Sequence, residues 1–273
     1  MAICLREPGA NRAGTGSRVS GPPAWLYLTE PARGLAGLAA LPLSAGWLAF
    51  APVGDGHGVL VLPGLLASDM STALLRRYLG GLGYEVHGWE LGRNIGPTDR
   101  VLAELPRALA DLAARTGGPV SVIGWSLGGI YARELAREQP GLARQVITLG
   151  SPFGLTHPKQ SRADWSYRRR SHLHATDHPI PTREDIACPI EVPSTAVYSR
   201  RDGIVSWQTC VEPESALHEN VEVRCAHLGF GADPATLWLI ADRLAAPAGV
   251  RRPFRAPPLL RPLYPARRDQ SGS

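Results

Sequence analysis

From residue 58 to residue 246, short and nearly all-apolar runs alternate with stretches of helical period. That alternation is the signature of a parallel sheet joined by crossover helices. The runs are Gly58–Leu62, Tyr84–Trp89, Pro119–Gly124, Gln145–Leu149, Ser194–Tyr198 and Val221–Cys225. Several are almost free of polar residues, as strands covered on both faces must be. Residues 69–82 carry Met70, Leu74, Leu75, Tyr78 and Leu79 at helical spacing, with Ser68 or Asp69 as a cap. Residues 99–115 place Leu102, Leu105, Leu109 and Leu112 on one stripe, where Pro106 is expected to kink the helix. Further helices are expected over 127–139 and 234–246. The fold class is therefore α/β: a mostly parallel central sheet with helices on both faces, plus a cap.

The 273 residues fit one large α/β domain. Residues 1–22 are rich in Gly, Arg and Ser and are expected to be disordered. The domain is expected over 23–245, with an apolar N-terminal segment at 23–53. Within it, residues 35–53 are long enough to span a bilayer, but Pro42 and Pro52 interrupt them. A broken apolar helix packed on the body is the first reading, attachment to a membrane surface the second, and a true span or an export signal the third. Residues 151–192 break the strand–helix alternation and are too long for a plain turn, so they read as a cap over the sheet. Residues 246–273, with six prolines, read as a disordered or extended tail.

Charge settles little about the body. The net charge is +5, yet residues 246–273 hold six arginines and the single acid Asp269, which already sum to +5. The rest is neutral, so no nucleic-acid partner is expected. Cys4, Cys188, Cys210 and Cys225 form no C-x-x-C pair. They read as free thiols of a reducing cytoplasm rather than a zinc or redox motif.

The sharpest chemical signal is Gly124-Trp125-Ser126-Leu127-Gly128-Gly129. It fits G-x-S-x-G, and an apolar strand runs in while a helical pattern runs out. In that setting a serine is held at a strained corner with its hydroxyl exposed. The glycines two before and two after it leave room where side chains would clash. A serine hydroxyl needs a base, and the base an orienting acid. Asp202 follows strand 194–198 and His227 follows strand 221–225, just past the strand ends where such sheets keep their sites. Ser126 is the candidate nucleophile, His227 the general base and then acid, and Asp202 the carboxylate that sets the imidazole tautomer. The oxyanion would be met by the backbone N–H groups of Leu127 and Leu65, the latter in the turn Leu62-Pro63-Gly64-Leu65-Leu66.

Competing groups read as weaker. His218 lies before the last expected strand and reads as solvated, and His57 sits at the wrong end of the first strand. Asp185 and Asp233 rival Asp202, although Asp233 suits a cap for the last helix. His172, His174 and His178, with Asp177 near, have a loose ligand-like spacing that reads as polar surface. No metal or cofactor is expected.

With these residues in view, the chain resembles the α/β-hydrolase superfamily, nearer its lipase and esterase branch. The pieces that carry the likeness are Leu62-Pro63-Gly64-Leu65, the Gly124–Gly129 elbow, Tyr198-Ser199-Arg200-Arg201-Asp202-Gly203-Ile204-Val205 and His227-Leu228-Gly229-Phe230. It is similar over about residues 23–245 to actinobacterial hydrolases of this fold. The resemblance implies a sheet of at most eight strands, a Ser-His-Asp triad and a mobile cap. The chain departs from hormone-sensitive-type esterases in lacking a His-Gly-Gly-Gly loop. It departs from many bacterial lipases in carrying Pro63-Gly64 in place of His-Gly. The elbow also resembles that of type II thioesterases and of a methyl ester esterase of biotin synthesis.

Leu65, Leu66, Met70, Trp125, Phe153, Leu155, Trp165 and Trp207 are expected around the mouth, an apolar entrance suited to a hydrocarbon acyl group. Arg168-Arg169-Arg170 reads as a solvated loop, with an anionic head group, a phosphopantetheine or a membrane surface as the alternative. The expected activity is hydrolysis of a lipid-like carboxylic ester. The alternatives are a thioesterase or acyltransferase on carrier-bound acyl groups, and a non-catalytic ligand- or membrane-binding protein of this fold. The expected partner is a small ester or lipid, the expected location cytoplasmic, with peripheral membrane contact through residues 35–53 as the open question.

Overall fold

The structure, a computed structural model, describes residues 20–248 and 252–265. Its centre is a six-stranded sheet, parallel throughout. The strands are β1 (Gly58–Leu62), β2 (Glu85–His87), β3 (Val120–Trp125), β4 (Ala143–Leu149), β5 (Ser194–Tyr198) and β6 (His218–Glu222), in the order β2-β1-β3-β4-β5-β6. The period-two alternation sorts each strand between two cores. Val59 and Val61 of β1 face one cluster; Leu60 and Leu62 face the other. The first cluster is closed by α2 (Leu41–Leu48), α3 (Asp69–Gly81) and α8 (Pro234–Leu244), and the second by α4 (Asp99–Thr116) and α5 (Leu127–Glu138). This two-sided cover explains why the central strands are nearly all apolar.

The strand order reverses between β1 and β3: the chain leaves β1 towards β2 on one side, and β4 lies on the other. The crevice at the carboxyl ends of strands flanking such a reversal is where open α/β sheets bind ligands. The loop after β1 and the turn after β3 meet there.

Several sequence expectations need correction. β6 begins three residues earlier than expected, at His218, and this residue is buried rather than solvated. Its ring bonds the Ile190 carbonyl at 2.8 Å and the Ser215 hydroxyl at 3.1 Å. β6 is polar yet internal because its side chains have partners: Glu219 meets Arg243 at 2.8 Å, and Asn220 donates to the Glu212 carbonyl at 2.7 Å. α4 runs unbroken across Pro106, which lies on its cavity side. Its ends are set by the Thr98 hydroxyl, which accepts from Val101 N–H, and by Gly117 in the left-handed conformation.

The apolar N-terminal segment forms α1 (Ala24–Ala39) and α2, both packed on the body. No helix among the described residues is long and apolar enough to cross a membrane. The described part of the tail is ordered against α8 rather than extended. Leu260 and Tyr264 are buried, and the Tyr264 hydroxyl donates to the Ala235 carbonyl at 2.8 Å. Of residues 1–22, expected to be disordered, 1–19 lie outside the described residues; in the described remainder the Ser20 carbonyl accepts from the Ser206 hydroxyl at 2.9 Å and the Pro22 carbonyl from Arg162 at 2.7 Å. Cys210 and Cys225 are buried free thiols, and Cys188 is buried as well. Burial pushes the thiols of Cys210 and Cys225 well above the usual range, so they are poor nucleophiles.

Candidate active site

β3 feeds directly into Ser126, which has φ 54° and ψ −118°. A non-glycine residue in this region is strained and is held only by its surroundings. Here the Ser126 N–H donates to the Leu149 carbonyl at 2.8 Å, and the Ser126 carbonyl accepts from Gly129 at 3.0 Å as α5 begins. The corner is tight. A Cβ at position 124 would collide with the backbone of Gly128 and Gly129, and one at 128 with the carbonyls of Leu62 and Pro63. Neither neighbour can yield, so both positions demand glycine. The turn after β1 passes beside the hydroxyl: a Cβ at position 64 would stand 3.2 Å from that of Ser126.

Asp202 and His227 are brought together from the loops after β5 and β6. Asp202 Oδ2 lies 2.5 Å from His227 Nδ1, and both side chains are buried. The other carboxylate oxygen accepts from the N–H groups of Ile204 at 2.8 Å and Val205 at 2.7 Å. With Nδ1 committed to the carboxylate, Nε2 is the ring atom left to exchange a proton. Burial alone would lower the imidazole pKa, but the Asp202 charge, its hydrogen bond and the charge of Glu30 outweigh it and raise the pKa above the ordinary value. The elbow and the histidine loop are tied together, since the Trp125 indole N–H donates to the His227 carbonyl at 3.1 Å. Among the described residues, no hydrogen bond joins Ser126 Oγ to the His227 ring.

The N–H groups of Leu65 and Leu127 flank Ser126. Among the described residues, neither has a backbone acceptor. Leu127 opens α5, where the unpaired N–H groups and the helix dipole favour negative charge.

Ser126, Leu65 and Leu127 line a cavity of about 360 Å³. Its walls come from α4 (Val101, Leu102, Leu105), α5 (Ile130) and the 151–192 segment (Phe153, Leu155, Tyr167, Ile180, Ile186). That segment holds the short helices α6 (Asp164–Arg168) and α7 (Arg183–Ala187). Of the expected mouth residues, Leu65, Phe153 and Leu155 line it; Leu66, Met70, Trp125, Trp165 and Trp207 do not. Met70 is 81% exposed on the outer face of α3, and Leu66, at φ 64°, is exposed. Trp165 is 67% exposed beneath the Arg169 guanidinium. Trp207 stacks on Tyr198 under Arg200, and Trp125 is held by His227. The arginine run is likewise engaged locally, with Arg168 on Asp164 and Arg170 on the Ser166 carbonyl. The walls contributed by α4 were not anticipated, because its stripe read only as core.

The rival groups have other work. His57 bonds Asp55 and the Ser121 hydroxyl. Asp185 closes a capping box with Thr182, and Asp233 caps α8 through Thr236. His178 bonds Asp99 at 3.0 Å, and His174 packs on Tyr167. Among the described residues, no group of three or more potential ligands could hold a metal. The residue that sequence reasoning missed is Glu30 of α1, buried against both the Asp202 and His227 loops. Its signal was its isolation: no other acid stands between Glu7 and Asp55.

No protein-family model matches the chain. Over 78 residues it is 36% identical to the pimeloyl-[acyl-carrier protein] methyl ester esterase of Aromatoleum aromaticum, a match covering 26% of this chain and 27% of that protein. Among solved structures it is similar to lipase B of Aspergillus fumigatus, with a TM-score of 0.53 and 16% identity. That match covers 73% of this chain and 56% of the lipase. It is also similar to a pyrethroid hydrolase from Sphingobium faniae, with a TM-score of 0.49, 19% identity, and coverage of 72% of this chain and 100% of that one. The chain thus spans well under two thirds of the esterase and of the lipase. Its fold is that of the α/β hydrolases.

Proposed function

We propose that the protein is a serine hydrolase that cleaves a carboxylic ester with an apolar acyl group through an acyl-enzyme on Ser126. The observation that carries this reading is the strained serine at the floor of an apolar cavity, with a buried Asp202–His227 pair on the adjoining loops. The contact between Ser126 Oγ and His227 Nε2 closes as substrate binds, since catalytic hydrogen bonds are commonly long in unliganded enzymes. The hydroxyl oxygen then bonds the ester carbonyl carbon as its proton passes to Nε2. The oxyanion is met by the amides of Leu65 and Leu127, each worth about 3 kcal/mol in the transition state. The C–O bond to the alcohol breaks and the alcohol leaves with the proton from Nε2. Water, deprotonated by the same nitrogen, attacks the acyl-enzyme and releases the acid and free Ser126.

The lining is mostly apolar, with Glu134, Glu138, Asp164 and Arg183 among its charged members, and supports a hydrocarbon acyl group. Exposed Trp25, Leu28, Leu35 and Leu43 on α1 and α2 support contact with an aggregated lipid substrate. A second reading, an ester or thioester carried by an acyl-carrier protein, is supported by the name of the curated relative. A panel of p-nitrophenyl esters and acyl thioesters of rising chain length, with mass mapping of a fluorophosphonate adduct, tests both. Turnover that rises with acyl length, and an adduct on Ser126, are expected. Turnover of thioesters alone would move the reading to the carrier-bound substrate. No adduct and no turnover would leave a non-catalytic protein of this fold.

The pH profile is a further expected outcome. His227 must be neutral to accept the serine proton, and its pKa is raised. The rising limb of kcat/KM should therefore be centred above the ordinary histidine value of about 6.5. A limb centred below it would contradict His227 as the base.

A further inference from the structure

Glu30 is a buried acid in a mostly apolar helix, 2% exposed, and the mechanism above does not use it. A carboxylate in such a place is costly unless donors surround it. Donors do. Oε1 accepts from the Gly203 N–H at 2.6 Å and the His227 N–H at 3.1 Å; Oε2 accepts from the Leu228 N–H at 3.0 Å. Arg33, one turn along α1, meets Oε1 at 3.0 Å and also donates to the Arg201 carbonyl at 2.6 Å. One side chain thus grips the residue after Asp202, His227 itself and the residue after it. The approach is close: a Cβ at position 203 would stand 2.5 Å from the Leu26 carbonyl carbon, so Gly203 lets α1 lie on the loop.

We propose that Glu30 is a positioning residue that holds the Asp202 loop and the His227 loop in one frame, so that α1 is a working part of the active site. This role rests on the hydrolase reading of Asp202 and His227. Hydrogen bonds from three N–H groups to one carboxylate fix the two loops relative to each other, and charged acceptors make the stronger bonds. The carboxylate also acts on the base by its charge. The groups around His227 are Asp202 on the β5 loop, Glu30 with Arg33 on α1, the buried Cys225 thiol just before it, and Asp233, which is engaged in capping α8. Phe230 and Trp125 supply uncharged faces and no titrating group. Loss of the Glu30 charge therefore favours the neutral imidazole.

The test compares the wild-type protein with Glu30→Gln, Glu30→Asp and Glu30→Ala. Readouts are kcat, KM, the pH profile, the rate of fluorophosphonate labelling, thermal unfolding and an NMR titration of the His227 ring. Glu30→Gln keeps the shape, loses the charge and turns an amide N–H₂ towards Leu228 N–H. It is expected to lower kcat about 10²-fold, the effect of a displacement near 1 Å, with KM little changed. The rising limb and the His227 titration should both move to lower pH. Glu30→Asp keeps the charge and should retain the wild-type limb while recovering part of the rate.

A Glu30→Gln protein with wild-type kcat and limb would overturn the proposal. So would one that melts earlier but is unchanged in both below its melting point, since that effect is purely structural. Should no variant fold, the wild-type protein still decides. Its Gly203, His227 and Leu228 amide protons should exchange slowly, and exchange at the rate of open loops would overturn the proposal. A wild-type protein with no adduct on Ser126 sinks the hydrolase reading alone, while the titration and the amide protection still report on Glu30.

Discussion

Replacing Ser126 or His227 by alanine is expected to lower kcat by about 10⁶-fold, and Asp202→Asn by about 10⁴-fold, with all three variants folded. The inequality follows from the geometry. On the proposed mechanism, without Ser126 there is no nucleophile, and without His227 no base for it. Asparagine at 202 can still accept from the Ile204 and Val205 amides. However, it presents either a carbonyl or an N–H₂ to Nδ1 and carries no charge to stabilise the imidazolium. The ring can then turn its lone pair to Nδ1 and leave Nε2 protonated, the wrong tautomer. Because the three groups act as a unit, a Ser126→Ala, His227→Ala double variant should be no slower than either single one. Steady-state kinetics on a p-nitrophenyl ester, with circular dichroism to show folding, decides it. Additive losses, or an Asp202→Asn protein with wild-type kcat, would refute the arrangement.

The second large effect concerns stability. Arg133 on α5 is fully buried, with its guanidinium 2.8 Å from Glu212 Oε2, 2.9 Å from the Cys188 carbonyl and 4.2 Å from the centre of the Phe153 ring. It therefore joins the helix behind Ser126 to the end of the 151–192 segment, the β5–β6 connection and one wall of the cavity. Glu212 is held on its far side by the Ser194 hydroxyl at 2.7 Å. Arg133→Ala would leave that carboxylate buried without its counter-ion, at a cost of about 3–5 kcal/mol. In a chain of this size that is a fall in Tm of roughly 6–20 °C. Pairing Arg133→Met with Glu212→Gln removes both charges and should cost much less than the sum of the two single changes. Lysine should rescue poorly, since it lacks the planar fork that reaches two acceptors at once. Urea unfolding of the four proteins measures the coupling, and an Arg133→Ala protein within about 0.5 kcal/mol of wild type would show the pair to be idle.

The legible parts of this protein are those where local pattern and global role coincide. The elbow announced itself because Gly124 and Gly128 are forced by backbone contact and because an apolar strand leads into Ser126. The pairing of Asp202 with His227 could be anticipated because each follows a strand, and open α/β sheets bind ligands beyond strand ends. β6 was misplaced because its inward residues are polar and rely on partners distant in sequence, such as Arg243 for Glu219. The cavity walls were half missed for a related reason. Leu102 and Leu105 look like core whether they face β1 or an open space, and the difference lies in where the cap settles. Trp165 and Trp207 looked like substrate contacts, yet arginines lie over both. Glu30 was visible only as an oddity, since nothing local tells which loops a lone acid will meet.

The span between Glu30 and its acceptor contact at His227 is 197 positions. Such a contact is among the last a growing chain can make, since both ends must exist before it closes. A nascent chain that has already shaped its serine corner still lacks Asp202, His227 and the frame around them. On the proposed hydrolase reading, the chain turns over no ester until the segment that carries His227 folds back onto α1.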